Sequence, residues 1–196
     1  CLLQHPITEL SGKSLGIIGY GVLGQGVARA AETLGLKILV GASFTKNNKS
    51  DEGVDRVAFD ALLTESDIIS LHCPLTEDTT ELFDESAFEK MKSSAILINT
   101  ARGGLINDHA LIKAIKNKTI AGAAIDVLNQ EPPDSDHPLM QKQYSNLIIT
   151  PHIAWAAQEA RQRALDRIAD NIAAFLNNKS INVAGPYTHL TPPTTP

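Results

Sequence analysis

Short runs of Ile, Val and Leu recur along this chain with amphipathic stretches between them, and that alternation constrains its fold more than any other feature. A strand covered on both faces needs no polar and apolar alternation, so a continuous apolar run followed by a helical stretch marks a βαβ crossover. Strands are expected at 14–18, 37–41, 67–71, 95–99, 120–125 and 146–149. Between them Leu23, Val27, Ala30, Ala31 and Leu34 fall at helical spacing, as do Phe59, Leu62 and Leu63, then Phe88 and Met91, then Leu111, Ile112 and Ile115. Six parallel strands with helices between them make an α/β, doubly wound parallel sheet. A last helix, over about 156–176, carries Ala160, Ala164, Ile168, Ile172 and Phe175 along one face and Arg161, Arg163, Asp166, Asp170 and Asn171 elsewhere. Packing on the sheet and crossing to another domain are both open to it.

With 196 residues, 43% apolar and 20% charged, the chain can bury a sizeable core, and one domain over 1–178 is expected, followed by a tail at 179–196. The string from Pro186 to Pro196 has no apolar periodicity and is read as lying outside the fold, unfolded or a product of read-through. The start at Cys1-Leu2-Leu3, leading through His5 into a strand, reads as the interior of a longer protein. A formal net charge of -5 gives no electrostatic footprint for nucleic acid or for an anionic membrane surface, which leaves small-molecule chemistry. The two cysteines, Cys1 and Cys73, make no disulfide framework and no metal-ligand spacing, so a reducing, cytoplasmic compartment is expected. His5, His72, His109 and His137 have no ligand spacing either, and no metal is expected. No signal segment and no bilayer-length apolar stretch is present in the sequence.

Gly19-Tyr20-Gly21-Val22-Leu23-Gly24 fits G-x-G-x-x-G where the mechanism needs it, after a strand and at the start of a helix. Gly19 permits the tight turn, Gly21 lets the backbone approach a pyrophosphate, and Gly24 lets helix and strand pack closely. The helix then turns its unpaired amides and positive dipole end toward the phosphates. This is the nucleotide-binding turn of a Rossmann sheet, and the ligand expected is a nicotinamide dinucleotide. About 20 residues on, where a carboxylate would hold the adenosine ribose, stands Ala42 followed by Ser43. Without that charge a 2′-phosphate meets no repulsion, and Ser43, Thr45 or Lys46 could contact one. NAD and NADP both stay open.

Three polar residues follow the fourth, fifth and sixth expected strands, at the sheet edge where open α/β sheets bind ligands. Arg102 lies in Asn99-Thr100-Ala101-Arg102-Gly103-Gly104, Glu131 precedes Pro132-Pro133, and His152 lies in Thr150-Pro151-His152-Ile153. Singly, each has a bland explanation as a surface cation, a solvated loop charge and a helix-entry residue. Together they are the types that carbonyl reduction needs. A guanidinium clamps a carboxylate or polarises a carbonyl, an imidazole gives up a proton near neutrality, and a carboxylate fixes the imidazole's tautomer.

These segments, with Leu71-His72-Cys73-Pro74-Leu75-Thr76 and Ala124 to Val127, resemble the D-isomer-specific 2-hydroxyacid dehydrogenases over nearly the whole span from His5 to Ile181. Within that family the run His152-Ile153-Ala154-Trp155-Ala156 followed by Glu159-Ala160-Arg161-Gln162-Arg163 is most like the bacterial glycerate dehydrogenases, or hydroxypyruvate reductases. The resemblance implies that Arg102, Glu131 and His152 are catalytic, and that Val22, Leu23, Cys73, Pro74, Thr79, Thr100, Ala101 and Asp126 line the cofactor, with Asp126 on the nicotinamide carboxamide. It implies hydride transfer between NAD, or NADP, and a small D-2-hydroxy acid or 2-keto acid, and a homodimer. Cys73 is expected as a small buried residue and not as a reactive thiol. The chain departs from the family at Ala42, and by lacking the N-terminal half of the substrate domain, so reduced activity is expected of this piece alone. The competing reading is a nicotinamide-sensing interaction protein of the same fold, for which retention of all three polar residues would be unneeded.

Overall fold

Seven parallel strands form one sheet in the order β3-β2-β1-β4-β5-β6-β7 in a computed structural model that describes residues 7–44 and 54–183. In chain order the elements are β1 (Ser14–Ile18), α1 (Val22–Thr33), β2 (Lys37–Gly41), β3 (Arg56–Val57), α2 (Phe59–Glu65), β4 (Ile68–Leu71), α3 (Glu85–Lys90), β5 (Ile96–Asn99), α4 (Asp108–Asn117), β6 (Gly122–Ile125), β7 (Leu147–Ile149) and α5 (Gln158–Leu176). Six strands were expected and the sheet has seven: Arg56–Val57 adds a two-residue edge pairing with Val40 and Gly41, too short to leave a pattern in sequence. Cys1, His5, Thr45, Lys46 and the residues after Val183 lie outside the described residues.

Both faces of the sheet are covered, as the continuous apolar runs demand. On one face Ala28 and Ala31 of α1 pack with Leu15, Ile17 and Leu36. A larger cluster on β4, β5 and β6 joins Leu62, Leu63, Phe83, Phe88, Leu97, Leu111 and Ile115. Two helices of that cluster, α3 and α4, begin on side-chain caps, with Asp84 accepting from the Ala87 amide and Asn107 from the Ala110 amide. Helix α4 stops where Lys118 turns left-handed at φ 55°. The strand order reverses between β1 and β4, the switch point at whose carboxyl edge open α/β sheets offer a ligand crevice.

The chain divides into two compact units after His152. The second contains α5, none of whose residues is buried. Its Asn182 side chain accepts from Arg167 at 3.0 Å and donates to Asn171 at 2.9 Å, folding the segment after the helix back along it. Among the described residues, no helix is long and apolar enough to cross a membrane.

Candidate active site

Backbone, with almost no side chain, makes the first half of the site. Gly19 ends β1 at φ 94°, and a Cβ there would sit 2.4 Å from the Cys73 amide nitrogen, so only glycine fits between β1 and β4 at the crevice. A Cβ on Gly24 would fall 2.1 Å from the Gly19 carbonyl oxygen, which is how closely α1 lies against its own turn. Gly21 differs from both, since a Cβ there would meet nothing within 4 Å. It faces open space and caps α1 without any side-chain hydrogen bond, while Val22 and Leu23 of the first turn stand 87% and 74% exposed. Amides at an uncapped helix start, with a vacant approach over Gly21, fit a pyrophosphate.

A recess beside the turn is lined by Gly19, Tyr20, Ala42, Ser43, Arg56, Cys73, Pro74 and Thr79. Thr79 is buried, accepts from the Thr76 amide at 2.8 Å and donates to the Pro74 carbonyl at 2.8 Å, so it holds the Pro74 to Thr79 loop in shape at the mouth of the crevice. Burial pushes the Cys73 thiol up to about 11, which keeps it protonated near neutrality. Burial pushes His72 down, and its Nε2 shares a 2.9 Å hydrogen bond with the Ser70 hydroxyl. Among the described lining residues there is no carboxylate to take the ribose hydroxyls. Arg56 is a cation that sequence reading missed, because it sits on the two-residue strand; its Nη1 donates to the Gly41 carbonyl at 2.6 Å.

The second half is built from side chains after β5, β6 and β7, three neighbouring strands. Asn99, fully buried at the end of β5, donates to the Arg102 carbonyl at 2.8 Å and accepts from the Ala101 amide at 3.0 Å. It therefore shapes the Thr100-Ala101-Arg102 turn, a role hidden in sequence because Asn99 reads as the last residue of a strand. Arg102 is exposed and its Nη1 donates to the Ala101 carbonyl at 2.6 Å. Asp126 is buried, accepts from the Thr150 hydroxyl through Oδ1, and receives the His152 amide on its own carbonyl at 2.9 Å. His152 occupies left-handed backbone at φ 53°, uncommon for a residue other than glycine.

His152 and Glu131 meet. The ring Nδ1 stands 2.6 Å from Glu131 Oε2, while Glu131 Oε1 accepts from the Leu128 amide at 2.8 Å. The His152 hydrogen bond, then the Leu128 amide, hold the Glu131 carboxyl below its ordinary value of 4.5, against a small opposing effect of burial and of Asp126. A carboxylate on Nδ1 leaves Nε2 as the nitrogen through which the ring can exchange a proton with a substrate. The Arg102 turn lies close by through backbone: a Cβ on Gly103 would sit 2.1 Å from the Leu128 carbonyl carbon and 2.3 Å from the Asn129 nitrogen. A groove of about 880 Å³ reaches Glu131 and His152 from the β7 side, lined largely by apolar residues such as Pro133, Tyr144 and Ile148. Its walls include neither Arg102 nor the glycine turn, so this groove is not the path from cofactor to imidazole. Among the described residues no cluster of His, Cys, Asp and Glu could hold a metal ion.

Comparison with known proteins places the chain in a family. Residues 3–154 match the family described as D-isomer specific 2-hydroxyacid dehydrogenase, NAD binding domain. The glycerate dehydrogenase of Methylorubrum extorquens is 46% identical over 183 residues, covering 93% of this chain and 56% of that protein. Among solved structures, the NAD-complexed D-isomer specific 2-hydroxyacid dehydrogenase of Lactobacillus delbrueckii ssp. bulgaricus superposes with a TM-score of 0.78 at 29% identity, over 89% of this chain and 56% of that one. An acyclic imino acid reductase in complex with NADPH and D-Arg superposes equally well, TM-score 0.78, at 34% identity over 93% of this chain and 58% of that one. The chain thus spans a little over half the length of the relatives it matches. It belongs to the D-isomer specific 2-hydroxyacid dehydrogenases, and residues 3–154 are their NAD binding domain.

Proposed function

We propose that this chain is the cofactor-binding part of an oxidoreductase that interconverts a small D-2-hydroxy acid and its 2-keto acid, with glycerate and hydroxypyruvate, or glyoxylate, as the substrates that fit best. The observation that carries the reading is the 2.6 Å contact between His152 Nδ1 and Glu131 Oε2, at the same sheet edge as the Arg102 turn. The cofactor, when bound, supplies the hydride. Gly19, Gly21 and Gly24, with the first amides of α1, hold its pyrophosphate; Val22, Leu23, Ala42, Ser43, Cys73, Pro74, Thr79, Thr100 and Ala101 line it, and Asp126 orients its carboxamide. Arg102 binds the carboxylate of the acid and polarises the neighbouring carbonyl. His152 delivers a proton from Nε2 to the carbonyl oxygen, and Glu131 holds the ring in one tautomer and balances its positive charge. In the oxidative direction the same nitrogen takes the hydroxyl proton.

The reading extends to a homodimer in the cytoplasm, supported by the family and by a chain with only two cysteines. It is tested in two steps. Titration of NADH and NADPH into the chain, followed by fluorescence, is expected to show saturable binding. Reduction of hydroxypyruvate, glyoxylate and pyruvate is then measured on the protein extended by the segment its relatives carry, beside His152→Ala. Saturable binding with no turnover of any keto acid would favour a sensor of nicotinamide state and overturn the enzyme reading.

A further inference from the structure

Asp108 opens α4, where the helix N-terminus favours a negative charge, and that alone would account for an exposed carboxylate. This one is not exposed. Its side chain is 15% accessible, and Oδ2 accepts a 3.0 Å hydrogen bond from the Asn129 amide group and stands 3.4 Å from Nε2 of His137, itself 7% accessible. His137 Nδ1 accepts from the Leu139 amide at 3.3 Å, which puts the proton of a neutral ring on Nε2, the nitrogen 3.4 Å from Asp108. One carboxylate therefore contacts both ends of the segment 129–137, by a hydrogen bond at Asn129 and by close approach at His137, and Glu131 lies inside it. On its other side the segment rests against Gly103, where no side chain would fit. A hydrogen bond to an ionised acceptor is about twice as strong as a neutral one, which makes Asn129 the firmer of the two contacts.

We infer that Asp108 is a positioning residue for the acid-base pair: by gripping Asn129 and His137 it fixes the turn that carries Glu131 opposite His152. The inference rests on the proposed roles of Glu131 and His152, but its test needs neither cofactor nor turnover.

The test uses the 196-residue chain with its Glu carboxyl carbons labelled with ¹³C, the Glu131 signal being assigned with Glu131→Gln. The titratable groups that face Glu131 are His152 and Asp126, so its titration reports the approach of the imidazole. In Asp108→Ala the Glu131 midpoint is expected to rise toward the ordinary carboxylate value, and the Leu128 amide to exchange with solvent about tenfold faster. Asn129→Ala, which removes one hydrogen bond from an exposed residue, is expected to move both readouts the same way by less. Thermal melts establish that each variant is folded, and if Asp108→Ala does not fold, Asn129→Ala decides. A folded variant with an unchanged Glu131 titration and unchanged Leu128 exchange overturns the inference and makes Asp108 a local support of α4 only. Failure of the whole-length protein to reduce any keto acid would sink the proposed function and leave these two expectations standing.

Discussion

The two ends of the site solve opposite problems. At the glycine turn, the proposed cofactor site is made by side chains that are missing: Gly19 and Gly24 have no room for a Cβ, and Gly21 keeps a space clear. At the β5 to β7 edge, the proposed chemistry depends on side chains that are present and must be aimed, with Glu131 brought to His152 across 21 residues of chain. At the first end two of the three glycines have no room for an added atom, whereas the second end tolerates no loosened loop. An added atom should therefore appear in folding or cofactor affinity, and a lost or misaimed side chain in turnover.

His152→Ala is expected to give the largest effect, a fall in keto-acid reduction of about 10²- to 10⁴-fold in the extended protein, with cofactor affinity nearly unchanged. Steady-state rates beside an NADH titration check it, and a parallel loss of NADH affinity would break the division between the two ends. Gly103→Ala comes next. Its Cβ would collide with Leu128 and Asn129 backbone, and a loss of about 3 kcal/mol of stability, read by denaturant unfolding, is expected. The glycine pair sharpens the comparison further: Gly24→Ala should lower the melting temperature, whereas Gly21→Ala should leave it unmoved and weaken nucleotide binding alone. Ala42→Asp restores a carboxylate at the adenosine end, and the ratio of NADPH to NADH affinity should fall about tenfold by like-charge repulsion with the 2′-phosphate. Equal affinities before and after would show that the ribose lies elsewhere.

The smallest expected effect is electrostatic. Because the Glu131 carboxyl is held below its ordinary value, the interaction with His152 contributes fully above about pH 4.5 and is lost as pH falls through the lowered value. Carbon-13 titration of Glu131 should therefore show a depressed midpoint that moves up in His152→Ala. A midpoint at the ordinary value in the unaltered protein would mean that the 2.6 Å contact does not persist in solution.

What could be read from sequence divides along the same line. The glycine turn was legible because its spacing, strand and helix all lie within one short stretch, and each glycine answers a local steric demand. The doubly wound sheet was legible because strands buried on both faces leave continuous apolar runs. β3 was not, since Arg56 and Val57 are too few to carry a pattern, and the Arg56 side chain went unnoticed with them. Arg102, Glu131 and His152 could be listed by type and by position after strands, but the 2.6 Å contact, the support from Asn99 and the anchoring of Glu131 by Asp108 depend on pairings between distant loops. His137 shows the difficulty: a lone histidine with no ligand spacing looks idle until Asp108 is placed beside it.

The left-handed backbone at His152 bears on how any set of substitutions there should be interpreted. Asparagine and glycine accept that conformation most easily, while valine, isoleucine and threonine resist it, because branching at Cβ crowds the preceding carbonyl. A scan of this position would therefore mix two penalties, one for losing an ionisable ring and one for bending the chain that presents it. Asparagine is the replacement that isolates the first, so the chemistry of the imidazole is measured more cleanly by His152→Asn than by any branched residue.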